Sequence, residues 1–288
     1  MPLSRFTTLG SGGPAKAFAR PATLSELAQA LRFAAERDLR VATIGLGSNL
    51  LVADEGFEGL VLKLAGELAA AHVEGDALVA GGGAPNAVCL HRARAAALGG
   101  FEFACAIPGT VGGGVRMNAG AYGGDWAGIL ERALIVDAEG ARWRTREELG
   151  LRYRHSGLRP GEVVARVEFR LTPSPPEQIK AVVADLQARR KAAQPTNKRT
   201  YGSVFKNPLH ELTAGRMLEA CGLKGHRIGG AQISPRHANF IENADGARSA
   251  DALALMAEAR QRAWEQFGVE LEHEVVFLGP LELPPVSR

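Results

Sequence analysis

The stretch TYGSVFKNP, residues 200–208, sets a hydroxyl, an ammonium and an amide close together: Ser203, Lys206 and Asn207, closed by Pro208. Ser203 and Asn207 are four apart, which puts them on one side of a helical turn; in a strand, period two does the same. Lys206 joins them only in a helical turn, and Pro208 disfavours helical angles at Asn207. A hydroxyl so placed could move a proton, or it could simply close a turn. In YRHS (153–156), Arg154 offers a permanently charged planar fork that suits a carboxylate or an enolate as well as a surface ion pair. In LEHEVVFLG (271–279), alternation puts Glu272 and Glu274 on one face of a strand, with Val275, Phe277 and Gly279 on the other. Val276 and Leu278 continue the glutamate face, and apolar neighbours there would raise a carboxylate pKa towards proton chemistry; a solvated edge strand is the alternative. GGAQISPRHANFIEN (229–243) packs Gln232, Ser234, His237, Asn239 and Asn243 into more amide and imidazole than a connector needs.

Two glycine loops could serve such a site. Glycine lets backbone N–H groups converge on an anion where a Cβ would block the approach. GLGSNLL (45–51) frees the backbone at Gly45 and Gly47 and adds Ser48 and Asn49 as donors. IPGTVGGGVRMNAG (107–120) does the same at Gly109, Gly112, Gly113 and Gly114, beside Thr110 and Asn118. Each alone reads as a tight turn; together they suit a diphosphate. The Rossmann fingerprint fails, because the first loop lacks the third glycine where a helix would open. No P-loop, GxSxG or HExxH is present, and the seven histidines have no ligand spacing, so no metal is expected.

The elements that must position these residues read as two units. At 288 residues, with 46% hydrophobic and 23% charged, the composition is globular. Thr23 and Glu26 form a capping-box signature ahead of the stripe Leu24, Leu27, Ala28, Leu31 and Ala35. Strands are expected at 41–44, 60–64, 77–80 and 162–171, a hairpin turning at Asp137–Gly140, and helices at about 85–98, 176–192, 213–221 and 249–267. Residues 226–243 read as a polar loop and 269–279 as a final strand. The proline-rich TPSPPEQ (172–178) marks a boundary between an N-terminal α+β unit and a smaller α/β unit. The opening MPLSRFTTLGSGG has no apolar signal region, no run approaches the ~18 residues of a membrane span, and the three cysteines lack CxxC spacing, so a cytoplasmic protein is expected. A net charge of +3 and 6% aromatics argue against a nucleic-acid partner, although the acid-free basic run 189–206 could receive an anionic ligand.

Taken in order, GLGSNLL, IPGTVGGGVRMNAGAYG, YRHS, YGSVFKNP, GGAQISPRHANFIEN and LEHEVVFLG closely resemble the UDP-N-acetylenolpyruvoylglucosamine reductase (MurB) family, over about residues 5–279. The resemblance implies an α+β chain. Its FAD-binding fold of the vanillyl-alcohol-oxidase type (1–172, two subdomains split near 65–70) would be followed by a C-terminal α/β domain (175–288) for the UDP-sugar. The implied activity is reduction of UDP-N-acetylglucosamine enolpyruvate to UDP-N-acetylmuramate, with FAD as cofactor and NADPH as co-substrate; another FAD oxidase or dehydrogenase on the same fold is the alternative. By motif position, Ser203 matches the proton donor to C2, and Arg154 and Glu274 match the groups that stabilise charge on the substrate carboxylate and enol. Glu274 is preferred to Glu272 because it directly precedes VVFLG. The resemblance assigns FAD to Gly45, Gly47, Ser48, Asn49, Leu50, Pro108, Gly109, Thr110, Gly112, Gly113, Asn118 and Gly120, and substrate to Lys206, Asn207, Gln232 and Tyr122. Ala193 stands where many relatives carry a basic residue. The chain resembles the shorter branch of the family, without the tyrosine-bearing insertion.

Overall fold

The computed structural model describes residues 1–287. Its contacts divide the chain into two compact units, neither continuous in sequence. One holds Ala17–Leu46 and Gly59–Arg190; the other holds Met1–Lys16, Gly47–Glu58 and the chain from Lys191 onward. A single boundary at 172–175 was expected. Short N-terminal segments instead join the C-terminal unit, because Leu9 and Leu51 are fully buried in its core.

The Ala17–Arg190 unit is built on a five-stranded antiparallel sheet. Its order is Ala141–Thr145, Leu130–Val136, Val163–Arg170, Ala77–Gly81, Ala71–Glu74. Asp137 Oδ1 accepts the N–H groups of Glu139 and Gly140, which closes the expected hairpin turn. Alternation loads both faces of this sheet. Leu134, Val136, Val163 and Ala165 pack with Leu27 and Leu31 of helix α1 (Leu24–Glu36). Ala133, Ile135, Val167 and Phe169 pack with Cys89 and Ala93 of α2 (Asn86–Ala95) and Val111 and Val115 of α3 (Val111–Met117). Helix α1 starts at the predicted cap, the Thr23 side chain accepting from the Glu26 N–H at 3.2 Å. The reciprocal bond of a capping box is displaced by one residue: the Glu26 carboxylate accepts the Ala22 N–H at 2.6 Å rather than that of Thr23. Helix α3 was not anticipated in so glycine-dense a run. Gly114 is required there by packing, since a Cβ would lie 2.5 Å from the fully buried Trp126 ring. Helix α4 (Pro176–Ala193) follows the proline-rich segment and buries Ile179 and Leu186.

In the second unit a four-stranded antiparallel sheet runs in the order Thr200–Ser203, Phe240–Asn243, Ala231–Ile233, Arg227–Ile228. Three of these strands occupy the expected polar loop. Each is four residues or fewer, too short for alternation to register in the sequence. Helices α5 (Ala214–Ala220) and α6 (Ser249–Phe267) supply Met217, Leu218, Leu255 and Met256 to the same core as Tyr201, Ile233 and Ile241. The final strand is only Val276–Leu278, paired parallel with Leu50–Val52; Glu272 and Glu274 precede it. Among the described residues, no helix is long and apolar enough to cross a membrane.

Candidate active site

Ser203 ends its strand in register with Phe240, whereas Thr200 pairs with Glu242. Tyr201 and Gly202 therefore oppose Ile241 alone, a β-bulge, and Gly202 holds φ +84°. Simple alternation from Thr200 would send Ser203 to the Tyr201 face, into the core. The extra residue reverses this, because a one-residue slip moves a side chain to the other side of the sheet. Ser203 thus shares a face with Phe240, Glu242 and Gln232, the last in register with Glu242. Ala231, Ile233 and Ile241, which alternate with them, lie in the hydrophobic core.

Beyond the bulge, neither regular spacing between Ser203 and Asn207 holds. Val204 and Phe205 are consecutively buried, and the chain bends at Val204. Asn207 is exposed, and its Oδ1 accepts the Ala214 N–H at the start of α5, at 3.2 Å. Antiparallel to this stretch runs the segment with the two glutamates: the Glu274 N–H donates to Val204 O at 2.8 Å and the Lys206 N–H to Glu272 O at 2.9 Å. Phe205 and His273 form the bridge between them. The two carboxylates then part company. Glu272 is 70% exposed and pairs with the Lys206 ammonium, which is 19% exposed; Glu274 is half-buried. Lys206 is thus committed to Glu272. Gln232 donates through Nε2 to Gly225 O at 3.0 Å.

In the other unit Arg154 occupies a left-handed conformation, φ +51°, in a turn closed by reciprocal backbone bonds between Arg152 and His155. Its Nη2 donates to Gly120 O at 2.7 Å, and its guanidinium lies 4.9 Å from the centre of the Tyr153 ring. Gly120–Ala121 and Gly124–Asp125 form a small hairpin whose two turn residues, Tyr122 and Gly123, both have positive φ. Tyr122 is exposed at its tip. Below the Arg154 turn, Arg116 Nη2 donates to Glu162 O, and the nearly fully buried Glu162 carboxylate gathers Arg142, Arg144 and Arg159.

The glycine loops divide into packing glycines and open ones. A Cβ on Gly45 would meet Thr110 Oγ1 at 2.4 Å, on Gly112 the Gly82 carbonyl at 2.9 Å, and on Gly47 (φ +69°) the Phe6 carbonyl at 1.9 Å. At Gly113 the nearest atom is 3.8 Å away and the residue is exposed, so this backbone has room for a ligand. Pro108 and Gly109 line a cavity of about 410 Å³ whose wall includes His91, Arg94 and Arg190 and, among the described residues, no carboxylate. The two amides expected to face a diphosphate are engaged otherwise. Asn118, buried at the left-handed end of α3, donates to Arg152 O and Asp125 Oδ2 and accepts from the Ala127 N–H. Asn49 donates to Glu274 O at 3.2 Å. Both amides are thus tied to protein groups, and the polar groups of the cavity wall beside Gly109 include backbone, His91 and the Arg94 and Arg190 guanidinium groups.

Residues 194–278 match the UDP-N-acetylenolpyruvoylglucosamine reductase C-terminal domain, and residues 15–146 match the FAD binding domain. The UDP-N-acetylenolpyruvoylglucosamine reductase of Anaeromyxobacter dehalogenans (strain 2CP-C) is 44% identical over 284 residues, which is 99% of this chain and 85% of that protein. The chain belongs to the UDP-N-acetylenolpyruvoylglucosamine reductase family. UDP-N-acetylenolpyruvoylglucosamine reductase 2 of Symbiobacterium thermophilum is also 44% identical, across 96% of this chain and 91% of that protein. The crystal structure of the family member MurB from Thermus caldophilus shares the fold at a TM-score of 0.84 and 37% identity, covering 96% of this chain and 97% of that one.

FAD is the cofactor of this family, and residues 15–146 match the FAD binding domain. The residues present fit it: an open glycine at Gly113 and a carboxylate-free, arginine-lined cavity beside Gly109 suit an anionic dinucleotide. Two features of the Ser203 segment, Gly202 and Asn239, carry little signal in the sequence pattern. Gly202 hints at a bulge only as a glycine before a polar residue in a strand. Asn239 is one of several polar residues in 229–243.

Proposed function

We propose that this chain reduces the enolpyruvyl group of UDP-N-acetylglucosamine enolpyruvate to the D-lactyl ether of UDP-N-acetylmuramate, with NADPH as the electron source. Family membership supports this reading. The observation that carries it is the bulge at Gly202, which turns Ser203 out of the core in a stretch hydrogen-bonded to the Glu274 segment. FAD, when bound and reduced by NADPH, would supply hydride chemistry at C3 of the enolpyruvyl group. Negative charge then builds at C2 and on the adjoining carboxylate. Groups aimed at that charge accelerate the reaction because it exists only as the transition state forms. Arg154 and the Glu274 carboxyl take this role. Ser203 Oγ–H gives its proton to C2: the O–H bond breaks, the C2–H bond forms, and the hydroxyl is reprotonated afterwards. A serine is a weak acid, and a C2 enolate is basic enough to take its proton. Lys206, Asn207, Gln232 and Tyr122 bind substrate, with Lys206 held by Glu272.

The test is a purified preparation with its visible spectrum. A yellow protein with an FAD spectrum, oxidising NADPH only when enolpyruvyl-UDP-N-acetylglucosamine is present, is expected. A colourless protein that FAD cannot reconstitute sinks the reading, and NADPH oxidation indifferent to that substrate favours another FAD oxidase or dehydrogenase. Ser203→Ala should still let NADPH bleach the flavin but slow reoxidation by the substrate ~10²–10⁴-fold, the range of general acid catalysis. Unimpaired reoxidation removes Ser203 from its role.

A further inference from the structure

Asn239 is buried at 4% exposure and pairs with the backbone of a single residue in both directions. Its Oδ1 accepts the Phe205 N–H at 2.9 Å and its Nδ2 donates to Phe205 O at 2.8 Å, while its own carbonyl accepts the Val204 N–H at 2.9 Å. A primary amide offers a donor and an acceptor side by side without any change of protonation. On the opposite side the same tripeptide, Val204–Lys206, bonds to Glu272 and Glu274. A carboxylate, a hydroxyl or an aliphatic group at 239 would leave at least one Phe205 group buried and unmet. The bulge at Gly202 sets the direction of Ser203, but a bulge is a local kink that its flanks must hold. Of those flanks, the one after Ser203 is gripped by Asn239.

A single-bond version of this contact is found at the other two proposed catalytic segments. Asn49 Nδ2 bonds to Glu274 O, and the buried Asn118 bonds to Arg152 O, two residues before Arg154. Each amide grips backbone, so none of the three substitutes for the reacting groups.

We propose that Asn239 is a positioning residue for proton transfer, its amide clamping Phe205 so that Ser203 Oγ and the Glu274 segment keep one fixed spacing. The inference rests on the reductase reading, and wild-type protein run beside the variants separates the two. If wild-type reduced flavin is not reoxidised by the enolpyruvyl substrate, the reductase reading fails first. If it is, Asn239→Asp, which keeps the shape and in its ionised form removes the donor, decides the inference together with Asn239→Leu, which removes both groups at any pH. Reoxidation is expected to slow at least ~10-fold and its solvent deuterium isotope effect to rise, while reduction by NADPH stays within about twofold. Asn239→Ala should behave alike. Reoxidation within about twofold of wild type in a folded, FAD-loaded Asn239→Leu overturns the proposal, and so does equal slowing of both half-reactions, which marks a merely structural role. Should these variants fail to fold, hydrogen exchange of the wild-type holoenzyme serves: a strongly protected Phe205 amide supports the clamp, and exchange at open-loop rates overturns it.

Discussion

Glu272 and Glu274, identical in type and two residues apart, meet different surroundings. Glu272 faces solvent with Lys206 as its partner, whereas Glu274 is half-buried with its backbone tied to Val204 and Asn49. Glu272 only holds Lys206 from the solvent side, so Glu272→Gln should act through KM by a few-fold and leave kcat within about twofold. Glu274→Gln should lower kcat/KM by ~10²-fold if the carboxyl stabilises transition-state charge. Steady-state kinetics on the two variants separates them, and the reverse order would exchange their roles. Alternation places both on one face and motif position prefers Glu274, but their different burial depends on the chain across from them, since both precede the short Val276–Leu278 strand. Similarly, Asn49 and Asn118 were legible as polar residues beside glycine. That their amides turn inward to hold Glu274 and Arg152 was not, because the carbonyls they meet are 225 and 34 residues away.

Among the elements, the glycine runs mix two roles that substitution can separate. Gly47→Ala would put a Cβ against the Phe6 carbonyl at positive φ and should cost at least ~2 kcal/mol in chemical denaturation, with loss of FAD following from misfolding. Gly113→Ala has open space on an exposed helical turn, and replacing a helical glycine should add up to ~1 kcal/mol of stability. If the backbone at Gly113 faces the FAD diphosphate, that stabilised variant should nonetheless bind FAD more weakly by flavin fluorescence titration. Unchanged FAD affinity would mark Gly113 as a plain helical glycine. The long helices α4 and α6 were legible almost to the residue, because 18 and 19 positions are enough for signals at their ends and along their length to accumulate. The strands of the 227–243 region were not, since two to four residues carry too few alternations to outweigh their polar composition.

For the molecule as a whole, two consequences follow from how distant segments combine. Burial acts first on Glu162, raising its carboxyl pKa, but the Arg159 N–H and guanidinium and the Arg144 charge outweigh it and hold the group below its ordinary value. A depressed carboxylate stabilises the fold above its unfolded pKa of ~4.3, and that contribution is lost as pH falls through the lower folded value. Denaturant stability should therefore drop as pH falls below ~4, and Glu162→Gln should be less stable at neutral pH and show a shallower acid limb. A steep limb in that variant assigns the acid sensitivity elsewhere. The second unit needs Leu9, Leu51 and the Leu50–Val52 strand, so a fragment starting at Lys191 should lack the cooperative unfolding that the whole chain shows. By itself the sequence determined the family, the long helices and the candidate polar side chains, and it lacks Rossmann and P-loop fingerprints, because these are written in local order and spacing. Only the tertiary structure decided that Ser203 faces away from the core, that Glu274 rather than Glu272 is sheltered, and that buried or half-buried amides bond to the backbone of the segments carrying Ser203, Glu274 and Arg154. Those depend on a one-residue bulge and on hydrogen bonds between residues far apart in the chain, which no local pattern records.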